Sequence, residues 1–234
     1  MLKKKEDSPM KGSYTLTLRQ PAPPVPNKEN PFCLVRGFLQ LMESQDPLIV
    51  GHCERTAQFA LALGHAIELA DQELLQLHYA ALLHDLGKFA LPPRVRTGTN
   101  LSPEEEMKHQ CHPRVGAAML QQWPCLNTAS VLIAHHHERW DGYGYPYGLR
   151  GTLIPLGSRI LSIADTFDKL TSPCPHGDGQ PFEKAVQVLK GGSGLRFDPD
   201  LTEQFLLLIP TLFNVEHEIQ FSLSHYSPVG NLVS

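Results

Sequence analysis

The stretch DQELLQLHYAALLHDLGK, residues 71–88, decides how this chain is read. Leu74, Leu75, Leu77, Ala81 and Leu82 recur at the spacing of a helix with one apolar face, with Asp71 as its expected cap. Such a helix buries that face in a core and delivers His84 and Asp85 at its far end. If the helix persists, His84 and Lys88 share a face, while Asp85 is turned by roughly 100° toward a neighbouring position. One helix end can thus present an imidazole, a carboxylate able to bridge, and a cation.

Helix signals continue on both sides. Asp46-Pro47 reads as a cap followed by proline at the first helical position, and Leu48, Val50, Phe59, Leu61 and Leu63 follow at helical spacing. Ser102-Pro103-Glu104-Glu105 combines cap, proline and capping box, opening a helix toward His112. Further helices are expected over 126–137, 156–171, 181–190 and 199–209, the last opened by Asp198-Pro199. The expected fold is all-α, with a helical domain over 31–215 and a tail over 216–234. Residues 1–30 are Lys-rich and then proline-dense (Pro21, Pro23, Pro24, Pro26), which favours an extended tether; the alternating Tyr14–Leu18 could add a short strand.

Composition bounds the function. The chain has 234 residues, 41% of them hydrophobic, and a formal net charge of -4, so a nucleic-acid polymer is not the expected ligand. Small anionic nucleotides remain compatible, because bound metal ions can supply local positive charge. Five cysteines without a Cys-x-x-Cys pair indicate neither a disulfide framework nor a thiolate zinc site, and fit a reducing cytoplasm. Cys53 and Cys111 adjoin candidate ligands and are read as small buried packing residues. No apolar run is long enough to span a bilayer, so membrane insertion is not expected.

The chemistry-bearing residues are His52, His84, Asp85, His112, His136, His137 and Asp165, readable as one divided metal site around a shared carboxylate. His135, His136 and His137 cannot all point one way, so at most two should serve a common centre. Imidazole with carboxylate and no thiolate suits iron, manganese or zinc. Asp168, one turn beyond Asp165, is placed to orient Lys88 or a ligand imidazole. The glycine- and aromatic-rich segment Asp141–Pro146 reads as a surface loop.

His84-Asp85-Leu86-Gly87-Lys88, followed by His136-His137-Glu138-Arg139-Trp140-Asp141-Gly142-Tyr143-Gly144-Tyr145-Pro146, resembles the HD-GYP subgroup of the HD-domain phosphohydrolases. The likeness runs from about His52 to Pro199, through residues 160–172 and 194–199. It implies an HD-domain helical bundle with extra C-terminal helices. The implied activity is hydrolysis of cyclic dimeric GMP to pGpG or GMP, by two-metal activation of a bridging hydroxide at an iron or manganese centre. By resemblance, His52, His84, Asp85 and Asp165 hold one ion, and Asp85 bridges to a second held by His112, His136 and His137. Lys88 adds positive charge near the phosphoryl oxygens, Tyr145 contacts substrate, and GGDEF-domain cyclases are possible partners of the Gly-Tyr-Pro loop.

Two departures matter. Where some members carry a glutamate tied to a third metal, this chain has Leu48, so two ions are expected. The basic pair that usually follows the Leu-Thr-Ser segment is replaced by Cys174 and Gly177. Losing two charge-assisted phosphate contacts of about 1.5–3 kcal/mol each implies weakened substrate binding. A regulatory module that binds partner proteins, and a phosphohydrolase for another nucleotide, stand as alternatives.

Overall fold

In the computed structural model, which describes residues 30–172 and 182–223, the chain is helical and has no strand among the described residues. The elements are α1 (Pro31–Gln45), α2 (Ile49–Ala66), α3 (Asp71–Leu83), a 3-10 turn (Leu86–Ala90), α4 (Pro93–Arg96) and α5 (Pro103–His109). They continue with α6 (His112–Leu120), α7 (Asn127–Ala134), α8 (Leu156–Thr171), α9 (Phe182–Gly192) and α10 (Pro199–Leu223). The expectations for the N-terminal segment, and for the loop that holds Cys174 and Gly177, lie outside the described residues.

The stretch that opened the sequence reading becomes α3, packed against α1, α2, α7 and α8. Leu77, Ala80, Ala81 and Leu83 are wholly excluded from solvent, as an apolar helix face at a core requires. Beside it, Phe59 of α2, Phe167 of α8 and Phe205 of α10 meet edge to face, with Phe167 centroids 5.0 Å from Phe59 and 5.2 Å from Phe205. Edge-on contacts of this kind add to what area burial alone contributes. The packing of α2 along α8 sets His52 opposite Asp165 and Asp168.

Side-chain caps explain some of the starts. Ser102 Oγ accepts from Glu105 N while the Glu105 carboxylate accepts from Ser102 N, closing the expected capping box. Asp198 Oδ1 accepts from Asp200 N and Leu201 N, and its other oxygen takes Arg159 Nη1 at 2.6 Å, so one carboxylate opens α10 and ties it to α8.

Several boundaries differ from the sequence reading. Asp46 does not cap α2: its Oδ1 accepts from Leu48 N, closing a turn, and the helix begins at Ile49. Asp71 is the first helical residue rather than the cap; Glu73 reaches back to Ala70 N instead. The helix opened by Ser102 stops at His109, and a new one starts at His112. The stretch expected as helix over 126–137 is helical only over Asn127–Ala134, and α10, expected over 199–209, continues to Leu223. Cys53 is buried as expected, but Cys111 is exposed.

The most consequential difference is at the end of α3. The helix stops at Leu83 and a 3-10 turn follows, so Lys88 does not share a helical face with His84. The tighter turn folds Lys88 back onto Asp85, with Nζ 2.8 Å from Oδ2. Gly87 lets this turn lie against the first turn of α6: a Cβ there would sit 2.0 Å from His112 O and 2.5 Å from Gly116 N. Gly87→Ala must push the two segments apart. The expected loss is about 1–3 kcal/mol, typical of overpacking, which lowers Tm by roughly 3–10 °C for a chain of this size. A melt that leaves Tm unchanged would show that α6 does not depend on this close approach.

Candidate metal centre

The residues that the sequence singled out come from separate elements that meet at one end of the bundle. His52 lies in the first turn of α2, His84 and Asp85 just past α3, and His112 at the start of α6. His136 and His137 follow α7, and Asp165 sits inside α8. Helix ends suit this role, because side chains there can fold over terminal carbonyls that have no partner in the helix.

Two triads result. His52, His84 and Asp165 bring one ligand atom each within 4.8 Å of one another, and His112, His136 and His137 do the same. In the first, His52 Nε2 is 3.2 Å from both His84 Nε2 and Asp165 Oδ1, and His84 Nε2 is 3.4 Å from that same oxygen. Asp85 stands between the triads: Oδ2 lies 3.6 Å from His84 Nε2, and Oδ1 lies 3.6 Å from His112 Nε2.

Four of the five rings, those of His52, His84, His112 and His136, are held by their other nitrogen. His84 Nδ1 donates to Ala81 O at 2.8 Å, His112 Nδ1 to His109 O at 2.8 Å, and His136 Nδ1 to Ile133 O at 2.7 Å. Three times the acceptor is the carbonyl three residues back. His52 Nδ1 instead meets Asp168 Oδ2 at 2.6 Å. With Nδ1 as the donor, these four rings turn Nε2 inward, the orientation a metal ligand needs once that nitrogen is free of its proton. Asp168 is itself held by Arg55, whose Nε lies 2.6 Å from Oδ1.

Four buried atoms in this cluster have no hydrogen-bond partner: Asp85 Oδ1, His112 Nε2, His136 Nε2 and Asp165 Oδ1. Leaving such groups unpaired away from water costs on the order of 1–3 kcal/mol apiece, so their convergence is what binding a cation requires. The donor set of imidazole and carboxylate fits iron, manganese or zinc.

Electrostatics divides the two triads. Burial, aided for His136 by the neighbouring His84, lowers His112 to about 2 and His136 to about 3, so both rings are neutral at physiological pH. Burial and His136 likewise hold His137 well below the usual range. At His52 burial pulls the same way, but the carboxylates of Asp165 and Asp168 outweigh it and raise the ring to about 9. Burial also works against ionising Asp85, yet Lys88 and His84 keep it well below the usual carboxylate value.

His135 turns away, its ring 5.0 Å from Tyr147 and its Nδ1 3.7 Å from Glu138 Oε1, so two of the three consecutive histidines face the centre. Tyr145 stacks on His137 at 4.9 Å, and burial raises its phenol above the usual tyrosine value. The loop that carries it is fastened by Glu138, a buried carboxylate accepting from Tyr147 N at 2.8 Å and Leu149 N at 3.0 Å. Leu48 is exposed beside the cleft.

Sequence reading missed three contributors: Glu138, Arg55 and Lys169. Lys169 Nζ lies 2.7 Å from Asp165 Oδ2. Its position four residues after Asp165, and that of Arg55 three after His52, were the available signals. A cleft of about 330 Å³ opens onto the first triad, lined by His52, Arg55, Asp85, Lys88, Asp168 and Lys169 among others. A larger recess of about 570 Å³ between α9 and α10 contains none of these residues.

Comparison with known proteins agrees with this arrangement. The HD domain family profile matches residues 37–201. A cyclic di-GMP phosphodiesterase of Thermotoga maritima is 32% identical over 171 residues, covering 72% of this chain and 46% of that protein. The crystal structure of a cyclic GMP-AMP specific phosphodiesterase of Vibrio cholerae superposes with a TM-score of 0.58 at 25% identity, covering 75% of this chain and 47% of that one. An HDG"Y"P protein from Bdellovibrio bacteriovorus shares the fold, with a TM-score of 0.59 at 22% identity over 76% of this chain and 60% of that one. The chain thus spans less than half the length of the Thermotoga relative. Its helical architecture, its His84-Asp85 pair and its Gly-Tyr-Pro loop place it in the HD domain family, within the HD-GYP subgroup.

Proposed function

We propose that this chain is a metal-dependent phosphodiesterase that hydrolyses cyclic di-GMP to linear pGpG, acting in the cytoplasm. The observation that carries the reading is the set of inward, unpartnered Nε2 and Oδ1 atoms shared between two triads with Asp85 between them. Relatives named as cyclic di-GMP phosphodiesterases supply the substrate class. Two divalent ions, iron or manganese, are proposed: His52, His84 and Asp165 would hold one, His112, His136 and His137 the other, and Asp85 both. When bound, such ions supply Lewis acidity at phosphoryl oxygen and make water nucleophilic near neutral pH.

The chain's own groups do the rest. Lys88, its Nζ on Asp85 and its side chain lining the cleft, offers positive charge to a phosphate oxygen. Tyr145, stacked on His137 with its phenol protonated, provides a flat face and a hydrogen-bond donor to the substrate. Asp168, clamped by Arg55, fixes the tautomer of His52.

The test is turnover of cyclic di-GMP by the full chain reconstituted with Mn²⁺ or Fe²⁺, with 3'3'-cGAMP in parallel because other relatives are named for it. Slow conversion to pGpG is expected, with KM raised by about a hundredfold relative to a member carrying both basic residues at the positions of Cys174 and Gly177. Absence of turnover by protein shown to carry its metal would overturn the reading.

A further inference from the structure

The cleft beside the first triad is lined by one arginine and two lysines, and they are not equivalent. Arg55 is 40% exposed, but its donors are committed to Asp168 and Ser172, with Nε 2.6 Å from Asp168 Oδ1 and 2.8 Å from Ser172 Oγ, and Nη2 3.2 Å from Asp168 Oδ2. Lys88 pairs with Asp85 and is only 15% exposed. Lys169 pairs with Asp165, but its side chain keeps 41% of its surface open. An ammonium has three donors; one goes to Asp165, and the cleft can reach the others.

The bonded oxygen is Oδ2. The other, Oδ1, is the unpartnered atom facing the imidazoles of His52 and His84. Lys169 therefore occupies the outer side of the carboxylate and leaves the inner side to a metal. After Lys169 in the sequence, no lysine or arginine occurs until Lys184.

We propose that Lys169 is a substrate-binding cation of this site, presenting its ammonium to a phosphodiester oxygen in the cleft and replacing part of the charge missing at Cys174 and Gly177. The identity of that substrate rests on the phosphodiesterase reading above. The role of the ammonium as an anion contact rests on the geometry of α8 alone.

The experiment compares the full metal-loaded chain with Lys169→Met and Lys169→Arg, using three readouts. These are metal content, the separate kcat and KM for cyclic di-GMP, and calorimetric affinity for its hydrolysis-resistant phosphorothioate analogue. Lys169→Met is expected to keep its metal, weaken analogue binding and raise KM by about ten- to a hundredfold, and change kcat little. Lys169→Arg should bind nearly as wild type. Loss of metal from Lys169→Met would assign the lysine to holding Asp165 and overturn the proposal, as would unchanged KM and analogue affinity while wild type turns over. If wild type binds the analogue through Lys169 yet never hydrolyses cyclic di-GMP, the phosphodiesterase reading fails and the cation stands. If wild type neither binds nor hydrolyses, both fall.

Discussion

Asp85→Asn is expected to reduce turnover by about a thousandfold, roughly 4 kcal/mol of transition-state stabilisation, and to take metal content below two ions per folded chain. The side chain is 1% exposed, and its two oxygens address different triads, Oδ2 toward His84 and Oδ1 toward His112. Asparagine keeps the shape but replaces one oxygen with an amide nitrogen that has no lone pair to give a metal. It also removes the charge that holds Lys88, leaving a mostly buried ammonium without its partner. The informative control is His135→Ala. His135 adjoins two inward histidines in sequence, yet its ring packs on Tyr147, so metal content and turnover should survive its loss. Elemental analysis and nucleotide assays on the two variants decide the matter. Full metal and full activity in Asp85→Asn would rule out a shared carboxylate.

The second large effect is a difference in pH dependence between the triads. His52, raised to about 9, carries a proton at neutral pH in the metal-free protein, and a cation must expel it from Nε2. Affinity at the first triad should therefore fall about tenfold for each unit below pH 9, or roughly a thousandfold by pH 6. His112 at about 2 and His136 at about 3 are already deprotonated throughout that window. Affinity at the second triad should be nearly flat over the same range. Acidification thus empties one position first, and loading it at pH 7 releases about one proton. Chelator-competition titrations at pH 6 and pH 9 measure both constants. Parallel slopes for the two ions would sink this account, and Asp168→Asn should flatten the steep one by removing a hydrogen bond that raises His52.

The sequence made the centre legible because its ligands are rare residue types attached to strong local signals. The apolar periodicity before His84 and the capping at Ser102 and Asp198 are local, and the structure keeps them. Boundaries moved where tertiary contact overrode local preference. The α3 helix yields to a 3-10 turn because Gly87 must pass against His112, and that contact joins residues far apart in sequence. The same turn accounts for the misplaced face of Lys88. Glu138, Arg55 and Lys169 escaped notice because their importance lies in partners that only folding brings near, or that become meaningful only once Asp165 is known to face inward. Cys111 was misread as packing because its neighbour His112 is buried while α6 leaves the cysteine outside.

The rings of His84, His112 and His136 are each hooked to a carbonyl three residues earlier, and His52 to a carboxylate. The inward atoms belong to α2, α8 and the ends or starts of three other helical segments, so a cation held by them would act as a clasp across the bundle. Anything that binds only the folded chain adds to its stability, by about 2.7 kcal/mol at a hundredfold excess over Kd. Scarcity of the metal would then loosen the whole scaffold as well as silence it, making the lifetime of this polypeptide a gauge of how much cation its surroundings can spare.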